Sequence, residues 1–388
     1  MIRPDSAAAR LSTRLAFWVA GFGVSAWAPL VPYAKQRLHL DDDALGLLIL
    51  CLGMGSVAAM VRAGPLCGRY GCKPVILVGG LCMALALPAL ALADSLWLMA
   101  IALLVFGGAL GSLDVGMNVQ SVVVEHGAGR PMISGFHALF SVGGFSGAAL
   151  VTVLLSHGVT PAMATVVCSG LMVVALIITA PRLLATASAA PGHSGALMTL
   201  PHGPVVILAA LAAVTFLVEG ALLDWSALLL TDQGLSTPER AGAGYAVFSV
   251  AMTVGRFSGD AVTARFGDRA VMFWGGITVV CGFACLLWVN QFAFAMVGFV
   301  LMGLGASNVV PVLFRQAGTQ KAMPTAMAVS AVTTIGYAGY LMGPAVVGWV
   351  AKLAGLPAAF WMLAAMMCLV PLCARAASQP AEATQASA

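Results

Sequence analysis

Apolar residues fall in long runs separated by short polar or charged breaks, and the pattern continues from end to end. A helix crossing a membrane takes about 20 such residues. The runs predict spans at Leu15–Tyr33, Ala44–Ala63, Val75–Leu92, Leu96–Gln120, Ser134–Ser156 and Pro161–Ala180. After a nearly uncharged stretch they resume at Pro204–Asp224, Ala241–Gly255, Val271–Trp288, Phe292–Phe314, Thr325–Val350 and Leu356–Leu372. The expected fold class is an all-α membrane protein with twelve transmembrane helices in two six-helix, pseudo-symmetric bundles. Its parts are a tail at 1–14, a bundle at 15–180, a linker at 181–203, a bundle at 204–373 and a disordered tail at 374–388.

Composition narrows the class. Only 8% of the 388 residues are charged, 61% are hydrophobic, and the mean hydropathy is +1.00. Soluble domains carry roughly 25% charged residues, so a soluble enzyme, a disordered chain and a nucleic-acid binder are excluded. The breaks are too short for an extramembrane domain. The nine cysteines lack metal-ligand spacing, and no phosphate-cradling Gly-rich loop with Lys and Ser/Thr is present. No metal, cofactor or ATP is expected. With both termini inside the cell, 14 of the 18 Lys and Arg fall on cytoplasmic segments, Arg256 counted among them, against Lys35, Arg37, Arg240 and Lys352 outside. That bias sets the orientation and accounts for the net charge of +4 without an anionic partner.

The two halves look like copies. At an offset of 196, Arg69-Tyr70-Gly71-Cys72-Lys73 falls on Arg265-Phe266-Gly267-Asp268-Arg269, and Gly143 and Gly147 fall on Gly339 and Gly343. Trp27 falls on Trp225 at 198, and Gly111 with Asp114 on Gly305 with Asn308 at 194. The basic break Gly64-Pro65-Leu66-Cys67-Gly68-Arg69-Tyr70-Gly71-Cys72-Lys73 resembles the loop signature of the major facilitator superfamily. Gly64, Arg69, Gly71 and Lys73 match it; Gly68 stands where the family has Asp, and Cys72 where it has a basic residue. The resemblance implies a gating role for Gly64, Arg69, Gly71 and Lys73 and for Arg265, Gly267 and Arg269 in the second copy. Asp260 is a candidate substitute for the missing carboxylate. Glu219-Gly220-Ala221-Leu222-Leu223-Asp224-Trp225-Ser226 and Asp114-Val115-Gly116-Met117-Asn118 are similar to a little-characterised bacterial branch related to fucose permeases. That implies a multi-pass protein of the bacterial inner membrane.

A charge at mid-bilayer costs about 2.5–3.5 kcal/mol on insertion scales, so each one is a functional candidate. Glu219 is expected in the outer half of the seventh span, as a proton-coupling or substrate-binding carboxyl or as a structural hydrogen-bonding group. Asp114, late in the fourth span, and His137, early in the fifth, could meet as a protonating pair or tie a gate together, with Asn118 one turn from Asp114. Asp224 is expected near the outer surface. Trp27 and Trp225 line the substrate path or sit in the interfacial belt; Asn308, Tyr337 and Tyr340 are further candidates for the cavity wall. The pairs Gly107/Gly111, Gly143/Gly147 and Gly339/Gly343 allow close helix packing, or sliding as well.

Because the predicted spans contain no Lys or Arg away from their ends, the expected substrate is a neutral polar or cationic small organic molecule. The reading is a secondary transporter, not an enzyme, working by alternating access and coupled to protons. A passive facilitator and an exporter of drugs or metabolites are the alternatives. Gly144-Phe145-Ser146-Gly147 resembles the nucleophile string of rhomboid-like intramembrane proteases and carries the remote enzyme alternative. The expected partners are the solute, protons and lipid, with no nucleic acid, and the protein is expected to be monomeric.

Overall fold

The computed structural model describes residues 2–40, 42–185, 200–237, 240 and 242–378; residues 186–199 of the expected linker and 379–388 of the tail expected to be disordered lie outside the described residues. The described elements are helical. In chain order they are α1 (Ala7–Trp27), α2 (Val31–Arg37), α3 (Asp42–Tyr70), α4 (Cys72–Leu92), α5 (Leu96–Ala128), α6 (Ile133–Ser156) and α7 (Pro161–Thr179). They continue with α8 (Pro204–Asp232), α9 (Ala243–Trp288), α10 (Phe292–Ala306), α11 (Val309–Thr319), α12 (Thr325–Ala354), α13 (Leu356–Met367) and α14 (Leu369–Ala377). Eleven stretches among the described residues are long and apolar enough to cross a membrane. Helices suit that setting because they satisfy their backbone polar groups internally.

The chain divides into two compact units. Unit 1 holds Met1–Arg130, Phe136–Leu200 and Pro324–Ala331; unit 2 holds Pro131–Gly135, Pro201–Met323 and Val332–Ala388. The first turn of α6 therefore groups with unit 2, and the first turns of α12 with unit 1.

Two boundaries differ from expectation for one reason. The presumed loop after the second span is mostly helix: α3 runs through Gly64 and Arg69 to Tyr70, and the break is at Gly71 (φ 83, ψ 166). Likewise α9 runs from Ala243 past Arg256, Asp260 and Arg265 to a break at Gly267 (φ 78, ψ 162). A scan for apolar residues stops at the first charge, whereas the helix stops where only glycine tolerates the backbone. The two breaks repeat their surroundings as well, with Arg69 stacked 5.1 Å over the Tyr70 ring and Arg265 5.4 Å over that of Phe266.

Glycines set the helix contacts inside each unit. In unit 1 a methyl group at Gly107 would strike the Leu52 carbonyl, and one at Gly143 the Trp18 carbonyl. In unit 2 Gly303 meets the Phe248 carbonyl and Gly339 that of Ala213 in the same way. Each pair in unit 2 lies 195 or 196 positions beyond its counterpart in unit 1. Polar side chains hold the ends: Arg37 donates to the carbonyls of Leu90, Ala91 and Ala93 at the end of α4.

Overpacking a close contact typically costs about 1–3 kcal/mol. Gly107→Val and Gly339→Val are each expected to lower the thermal midpoint of the purified protein. Gly170→Ala, where a methyl group would have nothing within 4 Å among the described residues, should leave the midpoint unchanged or raise it slightly.

Candidate functional site

The strongest cluster of chemistry in unit 2 lies where α8, α9 and α12 meet. Because α8 continues to Asp232, two turns beyond the predicted end, Glu219 sits near its midpoint and not in the outer half. Asp224 is likewise not at the helix end, although it is exposed. Arg256 sits near the midpoint of the segment from Ala243 to the break at Gly267, and it is 8% exposed. The cytoplasmic placement of Arg256 is corrected: it lies at least 10 residues, about 15 Å at 1.5 Å per residue, from either end.

Glu219 on α8 and Arg256 on α9 thus lie near the midpoints of two helical segments that pack against each other. Tyr245 is on α9, Tyr340 on α12 and Asp224 on α8. Tyr245 lies eleven residues before Arg256, three helical turns, and so shares its face. Gly220 brings α12 close, since a Cβ there would lie 3.1 Å from the Tyr340 ring. Tyr337 packs edge-on against Phe216 with ring centroids 5.9 Å apart, and Gly348 gives room to the half-buried ring of Trp225. Several buried polar atoms of α8 have no hydrogen-bond partner among the described residues: Glu219 Oε1, Trp225 Nε1 and Ser226 Oγ. Ser226 follows Glu219 by seven residues and lies on the same face.

The expectation of a neutral or cationic substrate rested on spans free of Lys and Arg, and Arg256 removes that ground. The repeat held the missed signal. The second predicted span ended at Ala63, whose copy at an offset of 196 is residue 259, yet its partner span was ended at Gly255. Arg315, the other cation near a span, pairs with Asp268 at 2.5 Å, and Gln316 donates to the same carboxylate at 2.6 Å.

Other candidates occupy different surroundings. Asp114, Asn118 and His137 are buried. Asn118 donates to the Asp114 backbone carbonyl at 2.9 Å, and His137 meets the Phe17 ring edge-on at 5.0 Å. No hydrogen bond joins Asp114 to His137 among the described residues. Trp27 closes α1 at 6% exposure. Asn308 interrupts the tenth predicted span, between α10 and α11, and donates to the Gly255 carbonyl at 3.1 Å.

Among the gating candidates, Asp260 has a defined task. Its two carboxylate oxygens accept the backbone N–H groups of Ser134 at 3.0 Å and Gly135 at 2.9 Å, in the first turn of α6. That turn has N–H groups without intrahelical partners and the positive end of the helix dipole. In the other copy, 196 positions earlier, Gly64 packs against Ser330 of α12, and the Ser330 hydroxyl donates to the Met60 carbonyl at 2.6 Å.

The profile described as Major Facilitator Superfamily matches residues 14–321 and 237–388. The chain belongs to this superfamily. It is similar to an uncharacterised MFS-type transporter of Yersinia pestis, 47% identical over 370 residues that cover 95% of this chain and 96% of that protein. The uncharacterised transporter y4wD of Sinorhizobium fredii is 31% identical over 363 residues, covering 92% and 95%. The crystal structure of FucP, a superfamily transporter in its outward conformation, superimposes with a TM-score of 0.80 at 17% identity, over 97% of this chain and 100% of that one. The protein is thus a multi-pass secondary transporter with bacterial relatives, and the enzyme alternative falls away. Ser146 spends its hydroxyl on the Gly143 carbonyl of its own helix, at 3.0 Å.

Loss of a helix cap costs about 0.5–2 kcal/mol. Asp260→Ala should lower unfolding stability by that amount, and Asp260→Asn, which keeps one acceptor oxygen, by less. Chemical denaturation of the purified protein in detergent measures both.

Proposed function

We propose that this protein is a proton-coupled secondary transporter that moves a small polar organic solute by alternating access, with Glu219 as the coupling carboxyl. The observation that carries the reading is the placement of Glu219 and Arg256 near the midpoints of two packed helices. A carboxylate there is costly to keep ionised, and the neighbouring guanidinium stabilises its ionised form. The charge state of Glu219 then depends on what Arg256 faces, and that dependence is what coupling requires. FucP, whose fold this chain shares, is described as a fucose:proton symporter.

The α9 segment crosses the membrane twice, giving twelve crossings in two bundles of six with both termini inside the cell. A straight helix of 46 residues would span about 69 Å, against a hydrocarbon core of about 30 Å. The matching breaks at Gly71 and Gly267 support a turn at each. With Arg256 moved into the membrane, 13 basic residues (14 − 1) remain inside against four outside, and the orientation argument stands. Asp260 acts as a latch on the first turn of α6, released when the inner side opens. The passive-facilitator alternative needs no titrating group and gives Glu219 no task.

Proteoliposomes carrying a pH-sensitive dye test the coupling. Addition of a transported solute should move protons through the wild-type protein. Glu219→Gln should abolish proton movement while leaving solute exchange, measured by counterflow. Solute flux that is indifferent to the pH gradient in both proteins would overturn the proposal.

A further inference from the structure

Each copy of the repeat carries polar side chains where the other carries hydrocarbon. The helix contacts give the correspondence. Leu52 beneath Gly107 answers to Phe248 beneath Gly303, and Trp18 beneath Gly143 to Ala213 beneath Gly339, at offsets of 196 and 195. A Cβ at Gly79 would lie 3.0 Å from the Ala109 carbonyl oxygen and from the Leu113 nitrogen. One at Gly275 would lie 2.7 Å from the Gly305 carbonyl oxygen and 3.6 Å from Val309. These positions all differ by 196, so Asp114 falls on Val310 and Asn118 on Phe314, both buried. The offset of 194 that set Asp114 against Asn308 is corrected by these contacts. In the other direction, Glu219 falls on Val24 at 195 and Arg256 on Met60 at 196. Places that unit 2 fills with Val and Phe need no polar group for packing.

Asp114 stands near the midpoint of the 33-residue α5, where a carboxylate is costly to bury without a partner. Asp114 and Asn118 continue the line of Gly107 and Gly111, the face that α5 turns to α3. With Leu52 at Gly107 and Ser56 at Gly111, the register puts Ala59 and Ala63 at their level. The nearest hydroxyl on that face of α3, on Ser56, donates to the Gly107 carbonyl at 2.8 Å. No hydrogen bond or ion pair reaches the Asp114 carboxylate among the described residues. Asn118 is 1% exposed, and its Oδ1 has no partner among them either. Its Nδ2 donates to the Asp114 backbone carbonyl at 2.9 Å, which folds the amide back to the turn of Asp114. Resting on the proposed transport reading, we infer that the solute carries a protonated amine, held in unit 1 by the Asp114 carboxylate and the Asn118 amide oxygen.

Two acceptors one turn apart call for a ligand rich in donors. An ammonium group offers three N–H donors and a positive charge, so it satisfies both oxygens and balances the carboxylate. Hydrogen bonds to an ionised partner are roughly twice as strong as those between neutral groups. An alcohol would donate a proton but leave a buried charge uncompensated, and an organic anion would set a second negative charge beside the first. The basic side chains on the helices packed against α5 are Arg10 and Arg14 on α1, Arg62 and Arg69 on α3, and Lys73 on α4. Arg14, Arg62 and Arg69 are exposed, and none of the five bonds to Asp114 among the described residues. The cationic class thus stands on the oxygens of unit 1 and draws nothing from Arg256.

The test uses purified full-length protein and two sets of compounds that share a skeleton and differ in charge. One set is ethanolamine, ethylene glycol and glycolate; the other is glucamine, glucitol and gluconate. At neutral pH at least one of the two amines should raise the thermal midpoint, while the alcohols and acids should not. Asp114→Asn should weaken that amine about tenfold or more, as expected for losing a hydrogen bond between charged groups, and Asn118→Ala about fivefold. If Asp114→Asn fails to fold, Asp114→Val, which installs the side chain that unit 2 has at the matching position, should fold and give no shift with the amine. Sodium chloride against potassium chloride at equal ionic strength tests for a metal ion in place of the ammonium. Silence from both amines, a response to an alcohol or an acid in their place, or a shift with sodium alone overturns this inference. So does an amine response that the Asp114 variants leave unchanged. In proteoliposomes, amine uptake should be lost in Asp114→Asn. Proton movement with a neutral solute would still uphold the transport proposal, whereas Asp114-dependent amine uptake without proton movement would defeat that proposal and leave the substrate assignment standing.

Discussion

The constraint on which the rest depends is that lipid offers helices no hydrophobic reason to associate. Apolar side chains are as comfortable against lipid as against one another, so cohesion comes from close approach and from polar contacts. Close approach is what the glycines provide. Gly107 on Leu52 and Gly143 on Trp18 in unit 1, and Gly303 on Phe248 and Gly339 on Ala213 in unit 2, put backbone against backbone with no side chain between. The repeated register of these contacts makes the duplication a physical matter, since the same close approaches were kept in both copies while the surrounding side chains diverged.

Several other polar side chains have a structural task. Arg37 covers the carbonyls at the end of α4, and Asp260 covers the N–H groups at the start of α6. Gln120 donates to the Thr13 hydroxyl at 2.9 Å and accepts the Leu184 N–H at 3.3 Å, tying α5 to α1 and to the segment after α7. Asp268 gathers Arg315 and Gln316. In each case a backbone group, a hydroxyl or an opposite charge explains the residue. Glu219 and Arg256 differ in place, since both sit in mid-helix, far from a helix end.

Much of this was legible in the sequence. Charge scarcity and run length gave a multi-pass helical protein, the repeat gave the glycine contacts, and the basic segment around Arg69 gave the superfamily. The misreadings share a cause. A charge closes the apolar run at Gly255 and at Asp224, and in both places the helix runs on. A window that averages hydropathy has no means of knowing that the helices of Glu219 and Arg256 pack together, because α8 and α9 meet only in the fold. Asn308 was read as a wall residue within one helix, but Asn308 itself breaks the helix and bonds to the Gly255 carbonyl. Sequence shows a polar residue's type; whether its partner is a backbone, a side chain or a ligand is decided in three dimensions.

The duplication itself offers the means of separating fold from function. A position that holds the same kind of residue in both copies answers to the packing both copies share, as Gly71 and Gly267 do. A position whose chemistry changes between copies answers to something only one copy does. Gly64 and Asp260 form such a pair, each beside a serine at the start of a helix, and only the second adds a charge-assisted cap. Val24 with Met60, against Glu219 with Arg256, form another. The asymmetry carries more weight than burial or charge alone, because the first copy holds no ionisable group at the matching positions. A transporter assembled from two like halves must still discriminate a solute that lacks their symmetry, and the broken repeat is where that discrimination has room to arise.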